Sequence, residues 1–264
     1  MNFASFVDRF YNKSPKIRLL ISKILFGDKD VCIRLFDVDL EINTLRESGY
    51  FRAFNISKNS SLLRDELAVL MTISMIMGKE DTFVDVGANI GVFSSLISRL
   101  SHLNSNLNTY AFEANPDTYK RLKKNSIKHG FQAFNVGISS QECELEFLDG
   151  AVSHVFTTVK NATDYNIKDR TIKVKCQRLD RYDLIGDSII IKIDVEGQEL
   201  EVLEGARKLF ENKRVKAVYL DGFAHQEKVL NFLTNYNFSF FDGRSLMKSD
   251  GKIFSLLAIL KEKY

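Results

Sequence analysis

Thr82-Phe83-Val84-Asp85-Val86-Gly87-Ala88-Asn89-Ile90-Gly91-Val92-Phe93-Ser94-Ser95 is the stretch that decides the fold. Phe83, Val84 and Val86 form an apolar run typical of a parallel strand buried on both faces. Gly87 and Gly91 punctuate a turn, after which Val92, Phe93, Leu96, Ile97 and Leu100 recur with a helical period. A strand, a glycine turn and a helix start bring the backbone close to a nucleotide-like cofactor. A dinucleotide fingerprint puts its second glycine two residues after the first and its third three later. Asn89 holds that second position here, which weakens the case for a pyrophosphate. Asp85, beside the loop, would repel a phosphate and attract a cation.

Both departures suit the sulfonium and amino group of S-adenosylmethionine (SAM) better than a nicotinamide dinucleotide. The following unit agrees. Tyr110-Ala111-Phe112-Glu113 reads as the next strand, ending in an acid placed to grip ribose hydroxyls. Asn115-Pro116-Asp117 then reads as a helix start, with a capping Asn, Pro at the first helical position and an acid in the first turn.

Outward from this core, Leu63, Leu67, Leu70, Ile73 and Ile76 predict an apolar helix over about 62–77. Downstream the spacing predicts helix 91–100, strand 108–113, helix 116–128 and strand 132–136. Between about 138 and 178 short alternating stretches read as inserted hairpins. Strand 188–194, helix 198–211, strand 215–220, a helix from about 225 and a closing strand pair (238–241, 253–259) complete the pattern. Alternating β and α elements argue a parallel sheet with helices on both faces. Asp85, Glu113, Asp194 and Asp221 fall at strand carboxyl ends, where such sheets bind ligands.

Residues 1–60 read as an N-terminal appendage to a domain spanning 61–264. Ile17, Leu20, Ile21 and Ile24 share a helical face; a helix docked on its own core is preferred to one lying on an anionic membrane. Val31–Ile42 alternates in two phases, predicting two short strands or one bulged strand.

The chain has 264 residues, enough for a sizeable core in one domain with an appendage. Its 37 basic and 34 acidic residues leave a net charge of +3, with no basic block dense enough to argue nucleic acid. Cys32, Cys143 and Cys176 show no metal or redox spacing, so a reducing, cytoplasmic setting is expected. No apolar run has the length of a membrane span and no signal peptide is read.

Three segments together resemble one family: Phe83 to Gly91, then Phe112-Glu113-Ala114-Asn115-Pro116, then Ile191-Lys192-Ile193-Asp194-Val195-Glu196-Gly197-Gln198-Glu199 with Leu203-Glu204-Gly205-Ala206. In this order they resemble the FkbM family of SAM-dependent methyltransferases, over about residues 62–260. The resemblance implies a Rossmann-like, seven-stranded class I methyltransferase sheet of α/β class, mostly parallel with its last strand antiparallel. It also implies methyl transfer, usually to a hydroxyl of a sugar, glycolipid or polyketide-type product. Two positions depart from the family's pattern: Ala114 stands where a proline is expected, and Asp221 where the family usually has Glu, with His225 shortly after.

On this reading Asp85, Gly87, Ala88, Asn89, Gly91, Glu113, Ala114, Asn135, Gly137 and Asp194 bind the cofactor. Deprotonating a sugar hydroxyl calls for a general base, and Lys192, Asp194, Glu196 and His225 are the leading candidates, with Asp221 and His154 behind them. Lys192 and Asp194 share a strand face; the lysine is either catalytic or the structural partner that orients the acids. Asp194 with Asp221 is a weaker candidate for holding Mg²⁺, and no metal is assigned. The expected partner is a small-molecule or glycan acceptor. A SAM-binding protein without catalysis, or a nicotinamide-dependent oxidoreductase, are the alternatives.

Overall fold

The computed structural model describes residues 15–55, 61–104, 107–149, 156–158 and 170–261. Two N-terminal strands, β1 (Asp30–Leu35) and β2 (Val38–Asn43), precede the glycine-loop strand β3 (Thr82–Val86). Then follow β4 (Asn108–Phe112), β5 (Gln132–Phe134), β6 (Gly137–Ile138), β7 (Cys143–Asp149), β8 (Phe156–Thr158), β9 (Arg170–Gln177), β10 (Ile189–Ile193), β11 (Val215–Asp221), β12 (Phe238–Asp242) and β13 (Ser255–Leu260). The helices are α1 (Pro15–Phe26), α2 (Ser48–Asn55), α3 (Ser61–Ile76), α4 (Val92–Asn104), α5 (Pro116–His129), α6 (Glu199–Gly205), α7 (Arg207–Glu211) and α8 (Gln226–Asn235).

Seven strands form one sheet in the order β12-β13-β11-β10-β3-β4-β5. The strands from β5 to β11 pair in parallel, and β13 runs antiparallel to both β11 and β12. This is the class I methyltransferase sheet that the motifs predict, with the last strand reversed. Strand parity divides its two faces. Val84, Val86, Ile189, Ile191 and Ile193 pack with Val202, Leu203 and Val229 of α6 and α8. Phe83, Ile190, Tyr219 and Leu257 pack on the other face with Val69 and Ile73 of α3 and Phe93 and Ile97 of α4. Lys192 shares parity with Ile190 and Asp85 with Phe83, so both polar side chains lie on the α3–α4 face.

Local chemistry sets the element ends. The Asn115 side chain accepts from the N–H groups of Asp117 (2.9 Å) and Thr118 (3.3 Å), and left-handed Gly130 closes the same helix by donating to Ser126 O. The predicted single helix over 198–211 divides at Ala206. Gly205 there lies so close to Ser139 O that a Cβ would stand 2.2 Å from it, and a glycine before the break weakens the helix.

Two expectations resolve at the N-terminal side. The phase switch near Phe36 is a two-residue hairpin turn, with Phe36 and Asp37 both left-handed and Leu35 paired to Val38. The buried face of this hairpin (Ile33, Leu35, Val38, Leu40, Ile42) packs on Ile90, Val92 and Leu96. Asn125 fastens it, accepting from Glu41 N (2.7 Å) and donating to Glu41 O (3.1 Å) and Ile90 O (2.8 Å). On helix α1, two residues of the expected apolar stripe, Leu20 and Ile24, are 60% and 72% exposed, while Ser22 is buried. At its end Phe26 meets the Phe51 ring edge-on at 4.9 Å, and the side chains of Ile17 and Ile21 lie outside those described.

The inserted region between β5 and β10 is a single small sheet, in the order β6-β9-β7-β8, with β6 and β9 parallel. Among the described residues no helix is long and apolar enough to cross a membrane.

Candidate active site

A cleft opens at the carboxyl ends of β3, β4 and β10, and the glycine loop forms its floor. Gly87 (φ +75°), Asn89 (φ +53°) and Gly91 (φ +82°) are all left-handed. Asn tolerates that conformation, which is how Asn89 substitutes for a glycine. No other residue fits at 87, because a Cβ there would stand 1.9 Å from Asp194 O. The loop spends its own N–H groups: Gly87 and Ala88 both donate to Phe112 O (3.0 Å), Asn89 to Glu113 Oε2 (2.8 Å) and Gly91 to Ala88 O (2.8 Å). These groups are therefore not offered to a phosphate.

Glu113 is buried beside the loop, with Oε1 accepting from Asn115 N (2.8 Å). Burial pushes its pKa up to about 7, against the pull of the two backbone N–H donors. Each oxygen keeps a lone pair for a further donor such as a ribose hydroxyl. Beyond it lies an apolar slot walled by Phe112, Val136 and Ile138 on one side and by Leu145, Phe147 and Cys176 of the small sheet on the other. No Lys, Arg or His lines this cleft among the described residues. An apolar slot, a ribose-binding carboxylate and acids at the far end (Asp194, Glu196) fit the base, ribose and sulfonium of SAM. They do not fit a pyrophosphate.

The expected cofactor residues divide accordingly. Gly87, Asn89, Glu113, Ala114, Gly137 and Asp194 line the cleft. Asp85 does not. Its side chain is on the α3–α4 face, where Oδ1 takes Lys192 Nζ (3.4 Å) and Oδ2 takes Ser94 Oγ (2.8 Å). Ala88 packs with Ala111, Leu122 and Phe131, and a Cβ at Gly91 would meet Leu122, so both shape the loop from beneath. Asn135 holds two strand ends together by donating to Glu113 O (2.9 Å) and Ala114 O (3.2 Å). The sequence reading missed the wall formed by Leu145, Phe147 and Cys176. Their alternation with Glu144, Glu146 and Lys175 is the signal of a face to be covered.

Asp194, Val195 and Glu196 also line a second cavity, with Glu199, Asp221, Phe223 and Phe254. The two cavities therefore meet at this segment. Lys192, 3% exposed, donates to Asp194 Oδ2 (3.3 Å) as well as to Asp85, and its ammonium lies over the Phe93 ring at 4.9 Å. Burial alone would lower the Lys192 pKa, but Asp194, Asp85 and Glu66 outweigh it and raise the pKa well above the usual range. The geometry holds Lys192 as a cation between two carboxylates. Asp194 has half its side chain in solvent, and it and Glu196 are the carboxylates that line both cavities. Burial, then Asp194 and Glu199, raise the Glu196 pKa. Asp221 is held by Ser255 Oγ (2.8 Å) and Tyr219 OH (3.2 Å). Among the described residues no three His, Cys, Asp or Glu side chains gather as a metal site.

His225 lines neither cavity. It is exposed, left-handed (φ +50°) and serves as the backbone start of α8. His154 lies outside the described residues. Cys143 and Cys176, unremarkable in sequence spacing, face one another across β7 and β9 as free thiols.

A family model described as a methyltransferase FkbM domain matches residues 85–240. The hexuronic acid methyltransferase AglP of Haloferax volcanii is 30% identical over 165 residues, covering 60% of this chain and 65% of the relative. The chain thus spans just under two-thirds of that relative's length. A crystal structure of methyltransferase FkbM from Methylobacillus flagellatus KT aligns with 73% of this chain and 47% of its own, at 17% identity and a TM-score of 0.44. The M. capricolum TrmK structure with S-adenosylhomocysteine aligns with 74% of this chain and 68% of its own, at 13% identity and a TM-score of 0.39. With more than half of its length matched by the family model, the chain belongs to the FkbM methyltransferase domain family.

Proposed function

We propose that the protein transfers a methyl group from SAM to a hydroxyl of a sugar-containing acceptor. The observation that carries this reading is the meeting of two cavities at Asp194-Val195-Glu196, one fitted to SAM and the other open to a second molecule. The second cavity combines carboxylates (Asp194, Glu196, Glu199, Asp221) with the aromatic rings of Phe223 and Phe254. Carboxylates accept from hydroxyls, and flat rings cover the apolar face of a sugar. The Haloferax relative is named for action on a hexuronic acid, which supports a sugar as the acceptor class here. The lack of a dense basic block argues against nucleic acid, and three free thiols support a reducing, cytoplasmic setting.

Bound SAM supplies an electrophilic methyl group, which the hydroxyl oxygen takes while sulfur keeps the electron pair of the broken C–S bond and the hydroxyl proton is released. Asp194, fixed by Lys192 and half open to the second cavity, accepts that proton. Glu113 holds the ribose hydroxyls, and the slot between Ile138 and Phe147 excludes water from the base. The protein's main contribution is alignment of the oxygen with the methyl group.

Calorimetric titration with SAM and then NAD tests the cofactor; SAM binding without NAD binding is expected. Incubation with radiolabelled SAM and a panel of hexuronate, neutral and amino sugars, free and glycan-linked, tests the acceptor. Binding of NAD in place of SAM would overturn the reading.

A further inference from the structure

The charges around Lys192 do not balance. Its one ammonium faces three carboxyls: Asp85 and Asp194 within 3.4 Å, and Glu66, which reaches the group from α3. Arg244 also adjoins this helix and is shared between Asp65 (3.6 Å) and Asp221 (3.8 Å). Each carboxyl is satisfied differently. Both Asp85 oxygens have donors, and Asp194 is half in solvent. Glu66 Oε1 accepts from Tyr50 OH of α2 (2.5 Å), whereas Glu66 Oε2 is shielded from solvent and has no hydrogen-bond partner. A shielded carboxylate oxygen without a donor is costly. With one ammonium shared among these groups, Glu66, the acid with an oxygen left without a donor, is the one most readily protonated.

We propose that Glu66, held by Tyr50, is a positioning residue that responds to cofactor charge. Near neutral pH it is partly protonated in the cofactor-free site, and it gives up that fraction of a proton when a sulfonium arrives at the Asp194 end of the cleft. This rests on the SAM reading above. The groups acting on Glu66 are Tyr50 from α2, Asp85 from β3, and Lys192 and Asp194 from β10, with the Asp65–Arg244 pair adjoining. Burial, opposed by Tyr50 and Lys192, pushes the Glu66 pKa up to about 7, where a nearby cation has most effect on its charge. An ionised Glu66 adds negative charge around Lys192 and Asp194. That charge offsets part of the pull that the methyl donor's own positive charge exerts on the acids beside it. Tyr50 and Glu66 lie outside the residues that the family model matches, so the N-terminal segment contributes to the transfer centre as well as covering the sheet.

The test is calorimetric proton counting at pH 7. SAM and S-adenosylhomocysteine are each titrated in two buffers of different ionisation heat, into wild type and Glu66→Gln. The amide oxygen of Gln still accepts from Tyr50. Wild type is expected to release up to about half a proton more than Glu66→Gln on binding SAM, with no such gap for the uncharged thioether. The ligand's own amino group contributes alike to both proteins and cancels. Equal proton release from both proteins with SAM would overturn the proposal. Failure of wild type to bind either ligand would instead sink the cofactor reading beneath it. Tyr50→Phe, which removes a donor to the ionised form, is expected to move the SAM-linked release to higher pH. If Glu66→Gln does not fold, an unmoved profile in Tyr50→Phe overturns the proposal.

Discussion

The two walls of the cleft are built by opposite means. The cofactor wall is mainly apolar: Phe112, Val136, Ile138, Leu145 and Phe147 surround one buried acid, Glu113, whose donors are backbone N–H groups. The transfer wall is ionic: Asp194 lines the cleft, and behind it Lys192, Asp85 and Glu66 gather on the α3–α4 face, each held by side chains of other elements. A backbone-held carboxylate keeps its position when a side chain elsewhere is replaced. An ion cluster shares its charge, so the loss of one member is felt by all.

This difference predicts where substitutions will cost stability and where they will cost binding. The largest effect is expected for Lys192→Met, which keeps the bulk of the side chain but leaves Asp85 buried without its cation. Breaking a buried pair from one side costs about 3–5 kcal/mol, so urea unfolding should show a loss of that order. A loss below about 1 kcal/mol, the size of an exposed pair, would bring down the ionic account of this wall.

On the cofactor wall, pH is the sharper probe. Below about pH 4.5 Glu113 is protonated in both the folded and unfolded chains. Between there and its folded pKa of about 7, the unfolded chain releases the proton and the folded chain retains it. Stability conferred by neutral Glu113 is therefore complete below pH 4.5, declines as pH rises through this window and levels off above 7, by about 1–3 kcal/mol in all. Glu113→Gln should flatten that slope in a series of melting curves. The same variant should bind SAM about 10–100-fold more weakly at pH 8, where wild type presents an ionised ribose acceptor. A slope that persists in Glu113→Gln and vanishes in Glu66→Gln would assign the titration to the ionic wall.

The cofactor wall is also the more legible in the sequence. Gly87, Asn89, Gly91 and Glu113 sit in short motifs whose residue types state their geometry, and the seven-stranded sheet follows from the α/β alternation around them. Asp85 belongs to the same motif, yet its parity with Phe83 carries it to the opposite face, where Lys192 takes up the charge assigned to the cofactor. Phe147 and Cys176 were visible as alternating strand residues, but sequence periodicity gives a face without saying what it will cover. Tyr50 and Glu66 carry no local signal at all. Their role arises only from the folding of α2 and α3 over β10, and long-range side-chain meetings of this kind have no period or spacing to read.

The smallest expected effect belongs to a residue whose chemistry is attractive and whose position is not. His225 follows shortly after Asp221, which lines the second cavity, yet it is exposed and absent from both cavities. What the fold needs at this position is a left-handed residue to start α8, with the backbone carbonyl accepting from Lys228 and Val229. Asn meets that need as readily as His. His225→Asn should therefore change stability by no more than about 0.5 kcal/mol and leave both SAM affinity and methyl transfer at the wild-type level. Thermal melting and the radiolabel assay check the two halves of this statement separately. A ten-fold fall in transfer with unchanged melting would extend the transfer wall past Asp221 and place an imidazole among its carboxylates.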